Sequence, residues 1–280
     1  MVYKLCDLDS KMGELIIKSY NLGHNVDDIL KSYDVCRNTV LSLLYSNGIM
    51  YKRTESSSFN INGNKLLIIA DTHIGNIQEN FNYIDQAYEI GLKEGVVSCI
   101  HLGDLFQGNF SVRDKSISYQ LDAFEKYYPK VSEFVTNLAM GNHEKGMFDE
   151  VPEAFDVLKS RQDFNVVGYR RVYFTWNNYM FGMSHKIDKF GNEFSSEDTA
   201  LDFSGHGHVL KLKSNSSLKV GTLSDNMMPQ YKDALPSFLI ATLEDDYLCI
   251  DAYTFEDNKV KILKKNYLTK EMHEYYKTKY

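Results

Sequence analysis

The chain has 280 residues and a formal net charge of −7; 43% of it is hydrophobic, 13% aromatic and 25% charged, the balance of a globular protein with room for one sizeable core and a small appendage. Four cysteines, Cys6, Cys36, Cys99 and Cys249, stand far apart with no CxxC pair, which argues against a disulfide framework or a thiolate zinc site and for a reducing setting. MVYKLCDLDSKMGELIIKSY has no apolar stretch behind a basic one and the longest apolar run near a motif is LLIIA, so a cytoplasmic chain with neither leader nor membrane span is expected. The acidic balance also excludes a protein that coats nucleic acid through bulk positive charge, because that mode needs Lys and Arg to release counterions. Any phosphate affinity must be local.

Residues 1–55 carry apolar positions at helical spacing: Leu15, Ile16 and Tyr20, then Val26, Ile29 and Leu30, then Val40, Leu43 and Leu44. Three short helices are expected. The stretch NVDDILKSYDVCRNTVLSLLYSNGI resembles the helix-turn-helix of small DNA-binding domains, and that resemblance would turn Arg37, Asn38, Thr39, Ser42 and Tyr45 toward DNA. Cys36 stands where such units usually carry a Ser or Thr cap, and the seven basic residues of 1–55 are matched by seven acidic ones. A helical packing module that assembles a homo-oligomer is the open alternative.

The polar, Ser/Asn-rich stretch ending at Asn64 has no periodicity, so 56–64 is expected to be a linker between a domain of 1–55 and one of 65–280. Beyond it, KLLIIA (65–70), VVSCIHL (96–102) and FVTNLAM (134–140) read as buried strands, separated by helices, the first with Phe81, Ile84, Tyr88 and Leu92 on one face. After residue 165 the pattern turns to strands: RVYFTW, YMFGMS, ALDFSG, HVLKLK, SLKVGT, PSFLIATLE and YLCIDAYTF, closed by a C-terminal helix, TKEMHEYYKTKY. Alternating α/β followed by mostly β predicts an α/β fold of two packed sheets with helices outside, plus the small all-α N-terminal domain.

Each of the first three strands runs into a polar cluster: Asp71-Thr72-His73, Gly103-Asp104, and Gly141-Asn142-His143-Glu144. Two later strands run into His185 and into GHGH, with His206 and His208. Ligands of open α/β sheets bind beyond the carboxyl ends of the strands, so these clusters are expected to meet in one crevice. The donors are Asp, Asn and His without thiolate, which suits Mn²⁺, Fe or Zn²⁺.

The order D-x-H, G-D, G-N-H-E, lone H, G-H-x-H resembles the motif series of the calcineurin-like metallophosphoesterases, over residues 71–208. The resemblance implies the four-layer α/β/β/α fold of that family and two divalent ions, most simply Mn²⁺. It gives one ion Asp71, His73 and His208 and the other Asn142, His185 and His206, with Asp104 bridging them. It also implies hydrolysis by a metal-bridging hydroxide, with His143 as general acid. Two divalent ions, two aspartates and a hydroxide leave a cationic centre, so an acidic chain can still act on a polyanion.

ADTHIG followed by LGDLF resembles the DNA-repair nuclease branch; in the protein-phosphatase branch the second motif typically continues with an arginine, where this chain reads GDLFQGN. Arg113 is a possible substitute. A phosphodiester substrate, in DNA or in a nucleotide or cyclic nucleotide, is therefore expected over a phosphoprotein. His101, beside the Gly-Asp motif, reads as a strand-end residue, and Glu144 either orients a ligand or is a solvated turn acid.

Overall fold

The computed structural model describes residues 10–22, 26–35, 39–40, 43–44, 47, 59–109, 114–169, 171–177, 179–186, 199–212, 217–225, 234–244, 248–256 and 259–268. In the N-terminal part, α1 (Ser10–Asn21) and α2 (Val26–Ser32) are joined by helical backbone at 39–40 and 43–44. Ile16, Ile29, Val40 and Leu44 form a small core of their own, as the spacing implied, whereas Leu15 is 43% exposed. Arg37, Asn38, Ser42 and Tyr45 lie outside the described residues. Thr39, which the resemblance turned toward DNA, is buried, with 3% of its surface exposed.

Two mixed sheets follow. The seven-stranded sheet runs in the order β12-β11-β10-β2-β3-β4-β5 and the five-stranded one in the order β1-β6-β7-β8-β9. The central strands β2 (Lys65–Ile69), β3 (Ser98–His101), β4 (Val135–Met140) and β5 (Phe164–Tyr169) are parallel neighbours, while β10 (Ser237–Leu243), β11 (Leu248–Glu256) and β12 (Lys259–Leu268) extend the sheet antiparallel. The second sheet holds β1 (Phe59–Ile61), β6 (Arg171–Trp176), β7 (Tyr179–Ser184), β8 (Asp202–Ser204) and β9 (Ser217–Lys219).

The period of two along β2 separates two cores. Leu66 and Ile68 face the second sheet, among Val172, Phe174, Trp176, Phe181 and Phe203. Leu67 and Ile69 face the helices, among Ile84, Tyr88, Phe124 and Leu158. Those helices are α3 (Phe81–Glu94), α4 (Ile117–Tyr127), α5 (Asn142–Glu150) and α6 (Ala154–Ser160). A strand buried on both faces must be apolar throughout, which is why KLLII shows no alternation in its sequence.

Several details depart from the sequence reading. Residues 59–61, assigned to a linker, form β1, parallel to β6, with Phe59 stacked on Phe174 at 5.5 Å and Trp176 Nε1 donating to the Gly63 carbonyl at 2.7 Å. Packing of one aromatic outweighs a polar composition over so short a strand. Among its described residues, HVLKLK provides a single bridge, Lys211 to Lys219. Leu92, placed on the buried face of α3, is 37% exposed. Residues 269–280, expected to be helical, and Arg113 lie outside the described residues.

Phe174 stacks between Phe59 and Phe181, each at 5.5 Å, and is fully buried between the sheets. Phe174→Ala is expected to lower the unfolding free energy by about 3–5 kcal/mol in urea titrations, the usual cost of an unfilled aromatic site.

Candidate metal centre

Five segments reach one end of the sheets. The chain leaves β2 into Asp71 and His73, β3 into Asp104, β4 into Asn142 and His143, β7 into His185, and β8 into His206 and His208. Beyond the strand ends the first two segments stay paired, with Asp71 N–H donating to Gly103 O at 3.0 Å and His73 N–H to Asp104 O at 3.0 Å. Asp71, His73, Asp104, His206 and His208 all have positive φ, between 47° and 64°. Left-handed backbone is rare outside glycine, and its concentration at five polar residues marks a functional site.

Three donor atoms converge on one side. His73 Nε2 and His208 Nε2 are 3.1 Å apart, and they lie 3.7 and 3.3 Å from Asp71 Oδ1. On the other side His185 Nε2 is 2.9 Å from Asp104 Oδ2 and 3.0 Å from His206 Nδ1. Asp104 Oδ2 sits between the groups, 3.9 Å from His73 Nε2 and 3.8 Å from His143 Nε2. Ligand atoms held by one ion at 2.0–2.1 Å are about 2.9–3.4 Å apart in octahedral or tetrahedral geometry, so most of these separations fit donors that share an ion.

The unsatisfied atoms are consistent with that fit. Asp71 Oδ1 and Asn142 Oδ1 are buried and accept no hydrogen bond of normal geometry, which costs free energy unless a cation takes the place of a donor. Each aspartate has its second oxygen fixed: Asp71 Oδ2 accepts from His206 N–H at 2.9 Å and Asp104 Oδ1 from His143 N–H at 3.0 Å. Asp71 Oδ1 is thus left without a hydrogen-bond partner, while Asp104 Oδ2 meets His185 Nε2 at 2.9 Å.

Burial pushes the Asp71 carboxyl upward, but the close imidazoles of His208 and His73, with charge from His208 and His185, outweigh it and hold it well below the usual range. Asp104 is lowered too, because His185, His73 and His143 overcome its desolvation. Burial pushes His185 down, and the Asp104 carboxylate beside it wins, raising the imidazole to about 9. Both aspartates are therefore ionised and ready to bind a cation.

Neighbouring residues hold these donors in place, among them Gln107, which the sequence did not single out. Gln107, 4% exposed, places Oε1 3.0 Å from His73 Nδ1 and its main-chain oxygen 2.6 Å from His143 Nδ1. The Leu102 carbonyl takes His185 Nδ1 at 2.9 Å. Glu144 is fully buried rather than solvated: Oε2 accepts from Asp104 N–H and Gly141 N–H at 2.9 and 2.7 Å, and Oε1 from Phe106 N–H at 2.8 Å. Burial, with the charge of Asp104, raises its carboxyl to about 7. His101 is buried and kept neutral, lowered to about 3 by desolvation, and accepts from Gly103 N–H at 3.2 Å, as a strand-end residue should.

Two glycines are required by close approach. A Cβ on Gly141 would stand 2.1 Å from Asp104 Oδ1, and one on Gly205 would stand 2.8 Å from Asp71 Oδ2. Gly207 has no such constraint, its nearest neighbour lying at 4.0 Å. The turn at 205–208 needs glycine at its first position for the carboxylate, not for the turn alone.

Carboxylate and imidazole donors gathered at the carboxyl ends of a mixed sheet define a metal-dependent phosphoesterase when set beside the family match. Residues 64–265 match the model for calcineurin-like phosphoesterases, and the chain belongs to that family. Among curated protein sequences none matches the chain. Similar solved structures include Vacuolar Protein Sorting 29 from Cryptosporidium parvum, with 19% identity, coverage of 74% of this chain and 98% of that one, and a TM-score of 0.48. A phosphoesterase of E. coli, Yfce, shares 14% identity over 73% of this chain and 100% of its own, with a TM-score of 0.46. An archaeal phosphodiesterase shares 16% over 71% and 99%, with a TM-score of 0.43. At these values they carry no information about substrate.

Gly141→Ala is expected to displace the Asp104 carboxylate and lower bound divalent metal, read by elemental analysis, while far-UV circular dichroism stays at the wild-type level. Wild-type metal content in that variant would contradict the close approach described above.

Proposed function

We propose that the chain hydrolyses phosphodiesters at a pair of divalent ions, with DNA as the favoured substrate. The observation that carries the reading is the position of Asp104 Oδ2, 2.9 Å from His185 Nε2 on one side and 3.9 Å from His73 Nε2 on the other, a single oxygen shared by two donor sets. On this reading Asp71, His73 and His208 hold one ion, Asn142, His185 and His206 hold the other, and Asp104 belongs to both. Mn²⁺ suits this donor set, as do Fe and Zn²⁺. Bound ions would supply an activated water and neutralise the phosphate oxygens.

The chain's own residues do the remainder. The His143 ring gives Nδ1–H to Gln107 O at 2.6 Å, which leaves Nε2 turned toward Asp104 Oδ2 at 3.8 Å. A proton carried on Nε2 is placed to pass to the departing oxygen, the work of a general acid. Desolvation pulls this imidazole below its ordinary value, against the charge of Asp104.

Choice of a diester rests on the second motif. Gln107 occupies the region where the protein-phosphatase pattern supplies arginine, and its amide is committed to His73 and Asp114, at 3.0 and 3.3 Å. A monoester dianion gains more from such a cation than a diester monoanion does. The helix-turn-helix resemblance of residues 1–55 adds a route to DNA. A nucleotide or cyclic nucleotide substrate, with the helices serving assembly, is the second reading.

Mn²⁺-loaded protein is expected to cleave an aryl phosphodiester and DNA faster than an aryl phosphomonoester, and deletion of residues 1–55 to weaken duplex binding and flatten its salt dependence. Activity confined to monoesters sinks the diester reading, and activity on cyclic dinucleotides but not DNA selects the second. Asp104→Asn is expected to abolish turnover and reduce metal content. His143→Ala is expected to cost about 10²–10⁴ in kcat with metal retained; equal metal loss in the two variants contradicts the assigned roles.

A further inference from the structure

His73 can serve an ion at Nε2 only if its proton sits on Nδ1, so whatever fixes that proton controls the site. The neighbour of Nδ1 is Gln107 Oε1, at 3.0 Å. An amide oxygen can only accept, but an amide can be turned end for end, so the assignment needs a second anchor. Gln107 Nε2 lies 3.3 Å from Asp114 Oδ2, and an ionised carboxylate has no proton to give. Asp114 therefore selects the orientation of the amide, the amide selects the tautomer of His73, and Nε2 presents its lone pair to Asp71 Oδ1 and to His208 Nε2, at 3.7 and 3.1 Å.

The backbone of the same residue is committed as well. Gln107 N–H donates to Ile74 O at 2.8 Å, tying its loop to the one that carries His73, and its carbonyl takes His143 Nδ1 at 2.6 Å. Side chain and main chain thus serve different imidazoles. Removing the side chain disturbs the first and spares the second.

We infer that Gln107 is a positioning residue for the metal centre, and that Asp114, through the Gln107 amide, selects the tautomer of His73 and hence the affinity of the Asp71–His73–His208 position for its ion. The inference rests on the reading of these residues as metal ligands. Gln107→Met keeps the length of the side chain and removes the acceptor. The double variant Gln107→Glu with Asp114→Asn reverses the polarity of the outer link and keeps an acceptor facing His73.

Calorimetric titration of the ion-free full chain with MnCl₂ gives the affinities, and long-range ¹⁵N–¹H spectra of the same ion-free protein give the tautomer of His73. In wild type the proton is expected on Nδ1. In Gln107→Met one of the two ion affinities is expected to fall about 10–100-fold with the other unchanged, and the double variant to restore it, the range usual for the partner of a ligating imidazole. Two wild-type affinities in Gln107→Met, or equal weakening of both, overturn the inference. So does an Nε2–H tautomer of His73 in wild type, a measurement that needs no variant to fold. Were wild type to take up no ion at all, the proposed function would fall, while the tautomer would still decide the role of Gln107.

Discussion

Two buried aspartates, each with one oxygen held by a backbone N–H and the other facing a cluster of imidazoles, set the terms for the rest of the structure. Burying a carboxylate costs several kcal/mol unless charge and hydrogen bonds repay it, so a fold that does this twice within one cluster needs compensation from every neighbouring segment. The compensation is visible: His206 N–H on Asp71, His143 N–H on Asp104, and five imidazoles clustered with the two carboxylates. Glycine at 141 and 205 is a consequence, since any side chain there would occupy the space of the carboxylate. So is the left-handed backbone at Asp71, His73, Asp104, His206 and His208, which turns each side chain back over the strand end.

Topology delivers these residues together. Parallel strands β2, β3 and β4 place their carboxyl ends side by side, and the parallel pairing of β7 with β8 does the same for the second sheet. Two cores, one between sheets and one beneath the helices, keep the frame stiff enough for donor atoms to stand near 3 Å apart without collapsing onto one another. Glu144 joins the second and third segments, since one carboxylate accepts from Asp104, Phe106 and Gly141. The site is as much a network of backbone contacts as a set of side chains.

Much of this is legible in the sequence, for reasons that differ by element. Buried strands such as KLLII announce themselves by uninterrupted apolar runs, and residues at their ends are fixed by the geometry of the sheet. The donors Asp71, His73, Asp104, His185 and His208 are found close together because each directly follows a strand. Short elements with polar faces are not legible: β1 is recognisable only through Phe59 and its partner Phe174, which lie more than a hundred residues apart. The burial of Thr39 is not legible, because a resemblance to helix-turn-helix units does not show which face a small module buries. Gln107 and Glu144 carry no spacing signal, since their partners are backbone groups and imidazoles brought near by the fold; only the position of Glu144 in the first turn of α5 hints that it can reach back to Gly141.

The central claim is that Asp104 Oδ2 lies between two ions. Crystals grown with MnCl₂ and measured at the manganese edge test it directly. The account predicts two anomalous peaks flanking that oxygen, one among Asp71, His73 and His208 and the other among Asn142, His185 and His206. A single peak, or peaks remote from Asp104, would contradict it.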